Sequence, residues 1–320
     1  MPAGSYQKIN YSLRPSKSIE RKMLAEAMQR MSCFGRLGAY RYVGFGSTYF
    51  SDFKLFHKLL GIKKMVSIEE DESNQDRFKF NRPFSCVRME FGKSTSVLPK
   101  LSWREKNIVW LDYDGMLNSD VLNDVSFCCT NLQSGSMLLV SVNAHPERID
   151  NSVPPELRPD KRLDLLKERV GEEKVPIDIV GTNLGDWGTA ETYRRIISNE
   201  IKETLLQRNG ARKNPIVFEQ LFNFHYADGA KMLTIGGIVF RDDQRDVFEK
   251  CAFAQMDFVR FDKTVYPIEP PNLTFREIHY IDRYLPSRIS MLSLGGLPKD
   301  DIKKYSQLYR YFPTFSETEI

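Results

Sequence analysis

Four short stretches carry residue types that could do chemistry together. The first is Gly44-Phe45-Gly46-Ser47, where an apolar run breaks at glycines before a helical pattern begins. A glycine turn between strand and helix is a common place to hold a nucleotide. The second is Glu69-Glu70 at the end of the apolar run MVSI. A carboxylate at the tip of a second parallel strand can accept both hydroxyls of a ribose. The third is Phe91-Gly92, just after a third strand pattern, and the fourth is Asp112 and Asp114 in NIVWLDYDG. His145 in NAHPE adds a proton carrier after the next strand. Asp112, Asp114 and His145 are thus the candidate catalytic groups, able to take a proton from an oxygen or nitrogen acceptor. Taken singly, the glycine pair also reads as a plain turn, EEDE as a solvated acidic turn and His145 as a packed strand end. Their common position after successive strands is what favours a site.

Those positions matter only if the elements form a sheet with all these ends on one edge. The pattern supports that. Strand candidates at 41–45, 64–68, 86–90, 107–113 and 136–144 alternate with helical stretches at 53–61 and 119–132. Short apolar strands alternating with helices predict a parallel sheet covered on both faces. Ligands in such sheets sit beyond the carboxyl ends of the strands, near the switch in strand order. A helix over 17–33 precedes the sheet. Residues 145–187, rich in proline and charge, read as an insertion holding one helix. A long amphipathic helix over 189–210 follows, then two strand patterns flanking Asp228-Gly229 within 216–240, a strong hairpin signal.

Composition bounds the function. The chain has 320 residues and is 41% hydrophobic, enough for a sizeable core. A net charge of +4 is too small to imply nucleic acid by itself. The local basic group Arg14, Lys17 and Arg21 is either a solvated face or a contact for a phosphate-bearing substrate, a nucleotide or nucleic acid. Five cysteines with no Cys-x-x-Cys pair argue against zinc and a disulfide framework. Asp112 and Asp114 would suit Mg²⁺, but no third ligand is evident, so no metal is expected. No apolar run approaches the ~20 residues of a membrane helix, and the start lacks a signal-peptide core. A reducing cytoplasm is the expected compartment.

The glycine turn does not fit a dinucleotide fold, because Tyr49 stands where the third glycine of Gly-x-Gly-x-x-Gly belongs. No Gly-Lys-Ser/Thr follows to make a P-loop. On VGFGS, VSIEED, EFGKSTSVLPKL, WLDYDG and the ADG hairpin, the chain resembles the class I S-adenosylmethionine-dependent methyltransferases, especially the O-methyltransferase-like group. The likeness covers roughly 35–145 and 189–241. It implies an α/β, doubly wound, mostly parallel seven-stranded sheet ending in an antiparallel hairpin at its edge. Domain bounds follow: an N-terminal helical segment at 1–34, a methyltransferase-like domain at 35–241 with its insertion about 145–188, and a small C-terminal appendage at 242–320 open to a protein partner.

The resemblance also implies S-adenosylmethionine as cofactor. Gly44, Gly46 and Ser47 would approach its methionine and ribose parts. Glu69, or Glu70 as second choice, would accept the ribose hydroxyls. Phe91 and Gly92 would lie against the adenine, and Asp112 beside the methionine amine or the reacting centre. Two positions depart from the family pattern: Lys93 follows Gly92 where many members have Asp, and Tyr42 stands where many have an acidic residue. The Asp-Tyr-Asp-Gly stretch at 112–115 also looks loosely like that of nucleic-acid methyltransferases and three-Cys-motif partner proteins. The expected function is methyl transfer to an oxygen or nitrogen acceptor, the alternative a catalytically inactive binding module of the same fold.

Overall fold

The chain's structure is a computed structural model that describes residues 14–289, 292 and 296–313. Residues 1–13 of the expected N-terminal segment lie outside the described residues. Five parallel strands come first: β1 Arg41–Gly44, β2 Lys64–Glu69, β3 Val87–Phe91, β4 Asn107–Met116 and β5 Ser136–Asn143. The antiparallel pair β6 Ile216–Ala227 and β7 Lys231–Arg241 follows, turning at Asp228-Gly229-Ala230 as the sequence predicts. The order across the sheet is β3-β2-β1-β4-β5-β7-β6, with an eighth strand, β8 Tyr266–Ile268, parallel to β6. The sheet therefore has eight strands, not the expected seven, and the hairpin is not its edge. Three residues from beyond position 241 pair with Phe224, His225 and Tyr226 and so cover part of the free side of β6, shortening its open row of backbone donors and acceptors.

Alternation builds two cores. Along β5, Met137 and Leu139 face one side, while Leu138, Val140 and Val142 face the other. The same alternation in β4 sends Ile108 and Trp110 one way and Val109 and Leu111 the other. Both faces are buried because helices cover both. One side carries α1 Pro15–Arg30 and α2 Ser51–Leu60, the other α5 Ser119–Asn131, α6 Arg158–Val170 and α7 Gly188–Asn209, while the short α3 Gln75–Asn81 and α4 Ser94–Val97 precede and follow β3 in the chain. Residues after 241 contribute Phe253, Phe258 and Tyr311 to the same core as α1, while Ile278, Ile281, Ile302 and Tyr305 form a small cluster of their own. Among the described residues no helix is long and apolar enough to cross a membrane.

Helix α1 positions the site, and its start is fixed from a distance. Pro15 occupies the first turn, where its missing N–H costs nothing. Arg14 offers no capping oxygen, so the free amides of Ser16 and Lys17 donate instead to the two carboxylate oxygens of Asp228, at 3.2 and 3.0 Å. The hairpin turn thus caps the helix, with its negative charge at the positive helix end. Asp228→Ala should cost about 1–2 kcal/mol of stability in chemical denaturation; a loss of a few tenths would show that the turn does not hold α1.

Candidate cofactor cleft and sheet edge

Register brings the predicted carboxylates level. Gly44, the last residue of β1, stands opposite Ser67 on β2 and Trp110 on β4. Glu69 and Asp112 each lie two residues further on, so they flank the end of β1 from either side. Two strand spacings put their backbones about 9–10 Å apart. The strand order reverses at this point, β1 leading to β2 and β3 on one side and β4 lying on the other. This is the crevice in which open α/β sheets bind ligands.

The turn after β1 is tightly built. Ser47 and Phe50 adopt positive φ of 49° and 48°, and the Phe50 amide donates to the Gly46 carbonyl at 2.8 Å. A Cβ on Gly46 would fall 2.5 Å from the Phe50 ring and 2.6 Å from Ser67 Oγ. A Cβ on Gly44 would fall 2.6 Å from the Tyr42 hydroxyl. Protein neighbours alone therefore require both glycines. Ser67 ties the turn to Glu69: its hydroxyl accepts from the Gly46 amide at 3.1 Å and donates to Glu69 Oε1 at 2.8 Å. Glu69 is only 7% exposed. Burial pushes its carboxyl up to about 7, against the pull of the Ser67 hydroxyl and the backbone of Gly46 and Ser47. Glu70 is exposed. Phe91 pairs with Glu69 across the β2–β3 register, and the Gly92 amide donates to the Glu69 carbonyl at 2.9 Å. The structure thus gathers Gly46, Ser47, Glu69, Phe91 and Gly92 at one corner of the sheet's carboxyl edge.

The three residues expected to be catalytic fare differently. Asp112 was expected to face an open edge; one of its oxygens is instead bound by the Lys17 ammonium at 2.6 Å. Asp114 is exposed further along β4, and His145 is half-buried beyond β5, its amide donating to Asn143 Oδ1 at 2.9 Å. Lys17, expected as a substrate contact, is 1% exposed and fully engaged, which corrects that assignment. It also meets Glu20 Oε2 at 2.8 Å and the Tyr226 hydroxyl at 3.0 Å, and lies 4.3 Å from the centre of the Trp110 ring. Burial alone would lower its pKa, but Asp112 and Glu20 outweigh that and hold it well above ordinary lysine. The chain of polar contacts continues from Glu20 to Thr234, from Thr234 to Ser141 at 2.7 Å, and from Ser141 to the Trp110 indole at 2.9 Å. Glu20, Ser141, Thr234 and Tyr226 escaped the sequence reading, although a serine and a threonine inside the apolar runs SMLLVSV and MLTIGG were signals of a buried polar network.

The other basic residues differ from each other. Arg14 lies 3.7 Å from Asp228. Arg21 is 8% exposed, and its Nε is buried with no hydrogen-bond partner among the described residues. Its charge reaches Asp52, where burial raises the carboxyl and Arg21 pulls it back. Asp52 is itself bonded to the Tyr42 hydroxyl, a second buried pair under the glycine turn. Lys93 lies 3.8 Å from Asp120. Among the described residues no three His, Cys, Asp or Glu side chains gather as a metal site.

The sequence matches, over residues 9–320, the model of the family described as "Putative O-methyltransferase". No curated protein matches it. Its fold is similar to cofactor-bound Rv0187 from MTB, at 12% identity and a TM-score of 0.36, over 72% of this chain and 80% of that one. It is similar to Trm1 from Pyrococcus horikoshii in complex with S-adenosyl-L-methionine, at 8% identity and TM-score 0.44, over 72% and 58%. It is also similar to the O-methyltransferase TomG from Streptomyces achromogenes in complex with SAM, at 15% identity and TM-score 0.35, over 67% and 79%.

Proposed function

The chain belongs to this O-methyltransferase family, and from that premise we propose that it moves the methyl group of S-adenosylmethionine to a hydroxyl oxygen of a small acceptor. The observation that carries the reading is Glu69: a buried carboxylate, aimed by Ser67 at the glycine turn and level with the end of β1. Such a group is unfavourable in an empty crevice and favourable against two ribose hydroxyls. The cofactor supplies an activated methyl on its sulfonium. The protein supplies alignment, which is most of what this reaction needs. Glu69 takes the ribose, Phe91 and Gly92 lie along the adenine, and Gly44, Gly46 and Ser47 floor the crevice. Arg21, buried and short of a partner, pairs with the methionine carboxylate. Asp114, late in β4, and His145, just beyond β5, stand on the same carboxyl edge.

The acceptor is small rather than nucleic acid on this reading, because the arginines of α7 are engaged. Arg194 pairs with Glu191 at 2.6 Å, Arg195 with Asp178 at 2.6 Å, and Arg208 donates to the Cys129 carbonyl at 2.7 Å. A backbone-binding surface would leave them for phosphates. One observation favours a catalytically silent binding module instead. Lys17 already occupies Asp112, and its ammonium would oppose a cationic donor nearby.

Arg21→Met separates the two ends of the cofactor. S-adenosylhomocysteine should bind this variant tenfold to a hundredfold more weakly, the loss of a charged hydrogen bond of about 1.5–3 kcal/mol. Methylthioadenosine, which lacks the amino-acid tail, should bind as it does to the parent. Equal losses for both ligands would remove Arg21 from the site.

A further inference from the structure

A second concavity opens on the same carboxyl edge, away from the glycine turn. It encloses about 910 Å³ between the start of α1, the start of α7 and the ends of β6 and β8. That volume suits a small organic molecule. Its walls include Pro15, Trp187, Val265, Pro267 and Ile268, which are apolar. Its acidic groups are already engaged. Glu191 holds Arg194, Glu269 holds Lys304 at 3.0 Å, and Asp228 caps α1.

His225 is the exception. It lines the cavity and is 7% exposed, and its Nε2 is buried with no hydrogen-bond partner among the described residues. Its ring stacks on Trp187 with centroids 4.7 Å apart and planes at 14°. Burial pushes its pKa down to about 4, with Glu191 opposing, so the ring is neutral at physiological pH. A neutral imidazole carries one bare nitrogen, an acceptor that buried polar groups rarely leave unused. Tyr226 joins this cavity to the crevice. It lines the wall, and its hydroxyl accepts from Lys17, which reaches Asp112.

We propose that this cavity is the acceptor's pocket and that it takes a planar, uncharged aromatic alcohol, whose ring packs within the apolar wall of Trp187, Pro267 and Ile268 and whose hydroxyl donates to the His225 ring. That it is the acceptor's place rests on the transferase reading; the class of ligand does not. A phosphate or carboxylate is disfavoured, because Lys304, the one cation lining the cavity among the described residues, is already paired with Glu269 and Asp300.

Three naphthalenes test this by calorimetry on the full chain without cofactor: 2-naphthol, 2-methoxynaphthalene and 2-naphthyl phosphate. The parent should bind 2-naphthol at least tenfold more tightly than the methyl ether, and the phosphate least. His225→Phe, which keeps a flat ring, should bind naphthol and ether alike. Trp187→Leu, at a half-buried position and so a milder change, should weaken both together. Equal binding of naphthol and ether by the parent, preference for the phosphate, or no binding at millimolar concentration would overturn the proposal. S-adenosylhomocysteine titrated into the same samples keeps the two claims apart. Naphthol binding without it supports the pocket and sinks the transferase reading, and the reverse sinks the pocket alone.

Discussion

Lys17→Met is expected to lower stability by about 3–5 kcal/mol, the usual cost of breaking a buried ion pair from one side. Asp112 and Glu20 would lose their shared cation, and Glu20 is wholly buried. Thermal unfolding should fall by roughly 10 °C for a chain of this size, at a few degrees per kcal/mol. Adding Asp112→Asn should recover part of the loss, because it removes one of the stranded charges. The coupling between the two substitutions should exceed about 1 kcal/mol. A single-variant loss below that figure, or strictly additive effects, would mean that the cluster does not hold α1 to the sheet. Methionine keeps an unbranched side chain of similar size, so the difference reports on the charge, its contact with the Trp110 ring included, rather than on volume.

The second large effect concerns pH. Glu69 has a folded pKa of about 7 against an ordinary 4.5. An acid whose folded pKa is raised favours the folded state only while protonated. Its contribution is complete below about pH 4.5, declines as pH rises, and is gone above about 7. The difference amounts to roughly 3 kcal/mol at 1.36 kcal/mol per unit. Glu69→Gln should flatten this part of the stability profile, leaving the variant at pH 8 at least as stable as the parent. It should also lose affinity for S-adenosylhomocysteine. Parallel stability curves from pH 4.5 to 8 would show that Glu69 is not buried as described.

Much of the fold was legible because it follows from local patterns. The β5 run SMLLVSVN reads as a doubly covered strand, and Asp228-Gly229 marks the hairpin. The eighth strand was not legible: Tyr-Pro-Ile is three residues long with a proline in its middle, and only the free side of β6 makes it a strand. The site divided in the same way. Gly46 and Glu69 stand out by type and by position after strands. Lys17 stood out only as a charge and in another role, because its partner Asp112 is 95 residues away and a sequence shows charges without showing whom they meet. His225 was absorbed into a hairpin pattern and Trp187 into an insertion, though the two rings stack. Asp228 was visible as a turn residue, while its second task, capping α1, needed the tertiary structure.

The central claim is that Glu69 meets the ribose of S-adenosylmethionine at the end of β2. A ribose that donates two hydrogen bonds favours the ionised carboxylate, so binding must expel the proton that Glu69 carries below about pH 7. The direct measurement is calorimetric titration of S-adenosylmethionine into the protein at pH 6 and pH 8, in two buffers of different ionisation enthalpy. The account predicts release of close to one proton at pH 6, little at pH 8, and affinity about tenfold weaker at the lower pH; Glu69→Gln should abolish the proton release. Binding with no proton release at either pH would contradict the role of Glu69, and no binding at millimolar ligand would contradict the cofactor itself.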